Sequence, residues 1–384
     1  MATAIRPARV LALAERTLSC PTAPYREGAV IAWVREWAHG APHLEVRADR
    51  DGNLALRRRG VRASRSPLVL GAHMDHPGFR ALRSTPTRSG VLVDALFLGG
   101  VRPECFAGAR ARFHRADGTS VPSQVLRVRP DPRRGALRVR LRAREAVPTG
   151  CFGTFDLPAF RRSRRNPDLL ETRAADDLAG VTAVLALLEQ IDRIDPARAV
   201  DVRGLFTRAE EVGFVGALSV ARAGRLPPGA RIVAIEASKA LPHAPQGGGP
   251  ILRVGDRTST FDDALTRWIA GVAAELAGPS GGRFLWQRRL MDGGTCESTA
   301  YQLYGYRCAA LCVPLGNYHN MDDRSRIAVE SIRLSDLVGL VRLFEGMVQR
   351  DRDCPRPGAP DPLRRRLEQR FRRAARELRR DPFA

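Results

Sequence analysis

Lysine is almost missing from this chain. Of 63 basic residues only Lys239 is a lysine, and the arginines are spread throughout, as in Arg57–Arg59, Arg161–Arg165 and Arg364–Arg366. A nucleic-acid surface concentrates charge on one face and interleaves aromatics, which make up only 6% of this sequence. So uniform a replacement reads as codon bias in a GC-rich genome, and no nucleic-acid partner is expected. Also lacking is any stretch near the roughly 18 uncharged apolar residues that a membrane span needs. Arg6, Arg9, Glu15 and Arg16 break up the short Val10–Ala14 run where a signal peptide would be apolar. The expected location is cytoplasmic, with no membrane span. The seven cysteines are odd in number and form no Cys-x-x-Cys pair, against both a disulfide framework and a thiolate zinc site. Cys308 and Cys312 lie in an apolar run and read as buried, reduced packing residues.

What is present describes a globular chain: 384 residues, 44% hydrophobic, 27% charged, net charge +22. That length suits two domains, or one large domain carrying an insertion. Helices are predicted over Arg6–Leu18 and Gly28–Trp37, then a strand and turn over Val46–Leu56. Pro67–Ala72 is an apolar run fit for a buried parallel strand, and it ends on His73-Met74-Asp75. From about Arg80 to Arg165 short alternating runs such as Gly90–Leu98, Ala109–His114 and Ala136–Leu141 are separated by turn signals. An α/β texture returns at Ala174, with helices over Ala179–Gln190, Leu265–Ala277 and Ser331–Gln349. Its strands are Val202–Phe206, Arg231–Ile235 and Cys308–Val313. The expected fold is therefore α/β, a mixed sheet flanked by helices, with an inserted small β-barrel-like domain. The catalytic domain would comprise residues 1–79 and 166–350, the insert 80–165. A linker and basic amphipathic helix would fill 355–384, with Asp361 as N-cap and an apolar stripe of Leu363, Leu367, Phe371, Ala374 and Leu378 docked on the surface.

Five places put a metal-capable side chain at a strand end or helix start, where open α/β sheets form their sites. His73 and Asp75 share one side of a strand end. A ligand histidine wants a carboxylate on its other ring nitrogen. Asp176-Asp177 opens a helix, Glu210-Glu211 follows a strand before Gly213, Glu236 ends an apolar run, and His319 lies beyond the Cys308–Val313 strand. Adjacent glutamates point in different directions, so one can bind a metal while the other serves as general base. Taken singly, each fits an ordinary role: a structural His–Asp pair, a helix N-cap, solvated loop acids. Together, two histidines and three carboxylates supply what two divalent ions sharing one carboxylate require. His39, His43, His114 and His243 sit in polar or turn-like surroundings and read as surface or structural residues.

Their order along the chain resembles the di-metal aminopeptidases that include glutamyl and tetrahedral aminopeptidases. The matching segments are Asp51-Gly52-Asn53-Leu54, Gly71–Phe79, Leu98-Gly99-Gly100, Ala174–Gly180, Thr207–Ala217, Gly293-Gly294-Thr295 and Pro314–Met321. The resemblance implies His73, Asp176 and Glu236 on one ion, and Asp176, Glu211 and His319 on the other. It implies Asp176 rather than Asp177 as the bridge, Glu210 as general base and Asp75 as support. The ions would be two divalent metals, zinc with cobalt or manganese as alternatives. A metal-activated water would cleave N-terminal residues from peptide substrates, and the β insert would build a homo-oligomer, a dimer or larger shell. Three positions depart from the family: Glu236 where Asp is more usual, His76 where a carboxylate follows His-x-Asp, and Cys296-Glu297 after Gly-Gly-Thr. They keep a second substrate class open, N-acyl amino acids or another small amide.

Overall fold

A computed structural model of the chain describes residues 5–279, 282, 284–355 and 362–375. Helices α1 (Pro7–Leu18) and α2 (Gly28–His39) lead into strands β1 (Leu44–Ala48), β2 (Leu54–Arg58) and β3 (Leu68–His73). Next come β4 (Gly78–Thr87), β5 (Gly90–Leu98), β6 (Arg110–His114), β7 (Ser120–Asp131), β8 (Ala136–Ala143) and β9 (Phe152–Phe155). After β10 (Phe160–Arg162) and β11 (Leu169–Thr172) the chain alternates through α3 (Leu178–Asp192), β12 (Val202–Thr207), α4 (Val215–Arg222) and β13 (Arg231–Lys239). It continues with β14 (Ile251–Asp256), α5 (Asp263–Ala277), β15 (Gln287–Met291), α6 (Glu297–Leu303) and β16 (Arg307–Leu315). The last elements are β17 (Glu330–Arg333), α7 (Leu334–Gln349) and α8 (Pro362–Ala374). No described helix is long and apolar enough to cross a membrane.

Eight strands form one mixed sheet in the order β1-β2-β12-β3-β13-β16-β14-β15. Its centre, β12-β3-β13-β16, is parallel throughout. Every residue of β3 is buried, as are seven of the nine in β13, which is why these runs are continuously apolar rather than alternating. The pleat divides them between two helical layers. Leu68, Leu70, Val233, Ile235, Ala309 and Leu311 face α1, α3, α5 and α7. Val69, Leu205, Ile232 and Cys308 face α4 and α6. Helix α3 is buried almost all round, so it carries no polar stripe, and Asp177 caps it by accepting from the Gly180 amide.

Between β3 and β10 the chain leaves the sheet and closes a six-stranded antiparallel barrel, β4-β5-β8-β7-β6-β9. Phe79, Phe97, Phe106, Phe113 and Phe155 fill it. The centroid of Phe97 lies 4.8 Å from that of Phe79, 5.0 Å from Phe106 and 5.3 Å from Phe155. Aromatics scarce in the whole chain are thus concentrated where a small barrel needs volume.

The structure corrects the predicted elements in three places. The helix expected from Ser331 begins at Leu334, because Glu330–Arg333 is strand β17, paired with β11 in a small three-stranded sheet. Strands β14 and β15 are not among the expected elements; β15 reads Gln-Arg-Arg-Leu-Met and lies at the sheet edge, where three of its five residues meet solvent. The stripe on α8 is not covered: Leu367 and Phe371 are 52% and 58% exposed. Asp361 and Leu378 lie outside the described residues.

Phe97→Ala should cost about 3–5 kcal/mol, the usual penalty for emptying a packed aromatic site. Urea unfolding followed by circular dichroism measures it.

Candidate metal centre

The parallel strands bring their carboxyl ends to one edge of the sheet, and five segments converge there. His73 is the last residue of β3, aligned with Thr207 of β12. Glu210 and Glu211 follow in the turn beyond β12, Glu236 lies near the end of β13, Asp176 precedes α3, and His319 follows β16. His73 Nε2 stands 3.5 Å from Asp176 Oδ1, 3.8 Å from Glu236 Oε2 and 3.9 Å from Glu210 Oε2. His319 Nε2 stands 3.6 Å from Asp176 Oδ2 and 3.1 Å from Glu211 Oε1. Asp176 therefore turns one oxygen to each histidine. All seven residues expected at the site, Asp75 included, are brought together.

These spacings carry chemical information. Four ligands on an ion with bonds of about 2.0–2.1 Å lie about 3.4 Å apart in a tetrahedron. The observed separations bracket that value. Glu236 Oε1 is buried and accepts no hydrogen bond, and Glu211 Oε1, also buried, has only the His319 imidazole 3.1 Å away for a partner. Buried carboxylate oxygens without a donor are costly, and a divalent cation is the partner this donor set fits. Ligating groups of at least three of these residues gather within 4.8 Å in two combinations, His73-Asp176-Glu211 and His73-Glu210-Glu236.

Each donor is held from behind. His73 Nδ1 faces the Asp75 carbonyl at 3.1 Å and His319 Nδ1 faces the Gly100 carbonyl at 3.0 Å. Each arrangement leaves Nε2 to the centre. The carbonyl, rather than the carboxylate expected from the sequence, is the nearer partner of His73, since Asp75 Oδ1 is 3.7 Å away. The Asp75 carboxylate instead accepts from the Glu210 amide at 2.9 Å and the Glu211 amide at 3.1 Å.

Several supporting groups went unrecognised in the sequence. Glu330 is fully buried and accepts from the amides of Ala175 (2.6 Å), Asp176 (3.2 Å) and His319 (2.8 Å). Glu27 accepts from the Ala209 amide at 3.0 Å and from Arg208 Nε at 2.7 Å. Ala209 and His319 both have left-handed backbones, φ 53° and 54°, costing on the order of 1 kcal/mol each. These two carboxylates hold them there. His76 points away from the donors, its nitrogens facing the Asp176 carbonyl (2.7 Å) and Asn320 Oδ1 (3.0 Å). Nothing in the local sequence marks Glu27 or Glu330: Glu27 acts on Ala209, and Glu330, besides the nearer His319, on Ala175 and Asp176, in each case more than 150 residues away. Glu297 lies buried beneath the site, its carboxyl pushed up by burial to about 7.

The electrostatics follow from crowding. Burial, reinforced by Glu236, Glu211 and Asp75, pushes Glu210 well above the ordinary carboxylate range, and Glu236 is raised by the same desolvation. Burial would lower His73 and His319, but Glu210 and Glu211 respectively lead the carboxylates that raise both well above the usual imidazole value. Asp176 is the exception: burial opposes its charge, yet the two histidines hold it low.

A cleft of about 540 Å³ opens from this centre, lined beyond it by Ser238, Lys239, Arg253, Arg257, Asp292 and Tyr318. The model for the M42 glutamyl aminopeptidase family matches residues 137–334, more than half of the chain. The chain belongs to this family. It is accordingly a metal-dependent peptide-bond hydrolase of the aminopeptidase type. Solved structures of similar fold include a TET aminopeptidase from a marine-sediment Thaumarchaeota archaeon. That structure is 19% identical, with 89% of this chain and 96% of that one covered and a TM-score of 0.72. The aminopeptidase APDkam598 of Desulfurococcus kamchatkensis is 20% identical, covering 89% and 95% at a TM-score of 0.70. PhTET1-12s, solved as a dodecamer, is 20% identical, covering 90% and 99% at 0.69.

Metal dependence should grow with pH. Groups raised in the folded, metal-free protein stabilise it when protonated, and that contribution is lost as pH rises from the ordinary Glu and His values, 4.5 and 6.5, through the raised ones. Asp176 opposes this but is one group against four. The gap in Tm between zinc-loaded and chelated protein should therefore widen from about pH 5 to about pH 8. Scanning calorimetry at several pH values would show it; a constant gap contradicts this charge balance.

Proposed function

We propose that this family member removes N-terminal residues from peptides at a centre for two divalent cations, zinc with cobalt or manganese able to substitute. His73, Asp176 and Glu236 would hold one ion and Asp176, Glu211 and His319 the other. When bound, the ions supply Lewis acidity toward the scissile carbonyl and make water a better nucleophile at neutral pH. Glu210 takes the proton of the attacking water on its carboxylate and delivers it to the leaving amine nitrogen. Asp75 fixes that carboxylate by holding the backbone of Glu210 and Glu211, while the carbonyls of Asp75 and Gly100 keep both imidazoles turned inward. The acidic floor of the cleft attracts the ammonium of a free amino terminus.

The observation that carries this reading is the convergence of donors from five separate segments at ligand-to-ligand spacing, with the buried Glu236 Oε1 left without a hydrogen-bond donor. Two collateral readings accompany it. All seven cysteines are free, the state a cytoplasmic compartment maintains. The dodecameric assembly of PhTET1-12s motivates a homo-oligomer here, with the barrel at its interface, which light scattering on the purified protein would test.

Glu210→Gln should lower kcat by about 10²–10⁴-fold, with two ions per chain retained by elemental analysis. His319→Ala should bind fewer ions than the parent. A Glu210→Gln enzyme as fast as the parent on aminoacyl-arylamides would remove the assigned base.

A further inference from the structure

Helix α8 buries almost nothing. Near its start, Leu363 and Arg366 line a hollow of about 330 Å³ with Trp268 and Val272 of α5. Every residue from Arg364 to Ala374 is exposed. A helix of this length is marginal in water on propensity alone, and in proteins most helical stability comes from packing an apolar face. α8 possesses such a face, yet more than half of Leu367 and of Phe371 is open to solvent.

The charge around that face is one-sided. Residues 362–375 hold six arginines and a single acid, Glu368, which pairs with Arg364 at 3.6 Å. At about 100° per residue, Leu363, Leu367, Phe371 and Ala374 fall within about 80° of the helix circumference. By the same rotation Arg370 lies about 20° beyond one edge of this stripe and Arg364 about 20° beyond the other. Arg365, Arg366, Arg372 and Arg373 occupy the back.

This arrangement discriminates among surfaces that could cover the stripe. A second α8 would set arginines at both edges of one stripe against those of the other, like charge against like. The rest of the chain, its own or another copy's, is also basic on balance, since the protein carries +22. A nucleic acid would pair with the arginines and leave the leucine and phenylalanine in water. A bilayer with anionic headgroups satisfies both halves of the helix. The acyl boundary accepts the apolar stripe, and the flanking arginines reach headgroup phosphates and carboxylates while their stems lie along its edge. At about 20 Å the helix is too short, and too charged, to cross a membrane, so it lies on the surface.

We propose that α8 attaches this hydrolase reversibly to the surface of an anionic bilayer, with Leu367, Phe371 and Ala374 toward the acyl region and the arginines among the headgroups. The attachment is independent of the chemistry at the metal centre.

Co-sedimentation of the metal-loaded full-length protein with vesicles tests it. Phosphatidylcholine alone is compared with the same lipid carrying about 30% phosphatidylserine, enough to give the surface a negative potential. The protein should partition onto the anionic vesicles about tenfold or more above the neutral ones. Leu367→Gln combined with Phe371→Gln leaves every charge in place and should lower that partitioning by about tenfold. Arg364→Glu combined with Arg370→Glu should abolish the preference for anionic lipid. All four positions are exposed, so an unchanged Tm shows that each variant remains folded. Equal partitioning of the parent onto both vesicle types, or none, overturns the proposal. So does a glutamine pair that binds anionic vesicles as well as the parent, because the stripe then plays no part. Retention of duplex DNA without vesicle binding assigns the helix to nucleic acid instead. A smaller oligomer by light scattering for the glutamine pair assigns the stripe to a second copy.

Discussion

An excess of buried carboxylate over buried cation is the constraint on which this structure turns. Asp75, Asp176, Glu210, Glu211 and Glu236 crowd around two imidazoles, with Glu297 and Glu330 close behind. Burying an ionised carboxylate without a counter-charge costs several kcal/mol, so no folded chain tolerates this many by packing alone. The metal-free centre relieves the cost partly by holding protons. Bound metal would relieve it further and leave the carboxylates ionised. Stability and function are therefore two aspects of one charge balance.

Geometry makes that balance possible. Parallel strands order their carboxyl ends along one edge, so one His, one Glu pair, one Glu and a second His arrive together from distant parts of the sequence. The turns that carry the donors are then fixed by hydrogen bonds to backbone amides. Asp75 holds residues 210 and 211, Glu27 holds 209, and Glu330 holds 175, 176 and 319. Two of those turns contain left-handed non-glycine residues, and the energy stored there is recovered in the precision of the donors.

How much of this could be read from the sequence depended on whether the signal was local. The strand ending at His73 announced itself because the five buried residues before it, Leu68–Ala72, carry no polar side chain, and the Asp176-Asp177 pair because it opens an apolar helix. The barrel was visible as alternation broken by turns. β15 was not, because an edge strand half in solvent needs no apolar pattern. Residues 331–333 were absorbed into the following helix because Ser-Ile-Arg suits either state; what makes them a strand is the partner β11, some 160 residues earlier. Glu27 and Glu330 escaped for the same reason. An acid that serves a backbone amide far away looks, locally, like any surface acid.

The barrel is tied to the centre more closely than an inserted domain need be. It leaves the sheet only five residues after His73, and the turn after β5 returns to place the Gly100 carbonyl on His319. Met321 and Ile327, from the loop that carries His319, pack on the barrel core, and Arg102 reaches Ser325 in the same loop. The His319 loop is therefore clamped between β16 and the barrel. Any force that shifts the barrel acts on the tautomer and aim of that imidazole, because a carbonyl displaced by 1 Å no longer holds the Nδ1 proton. A loosened barrel would for this reason be felt first at the His319 imidazole.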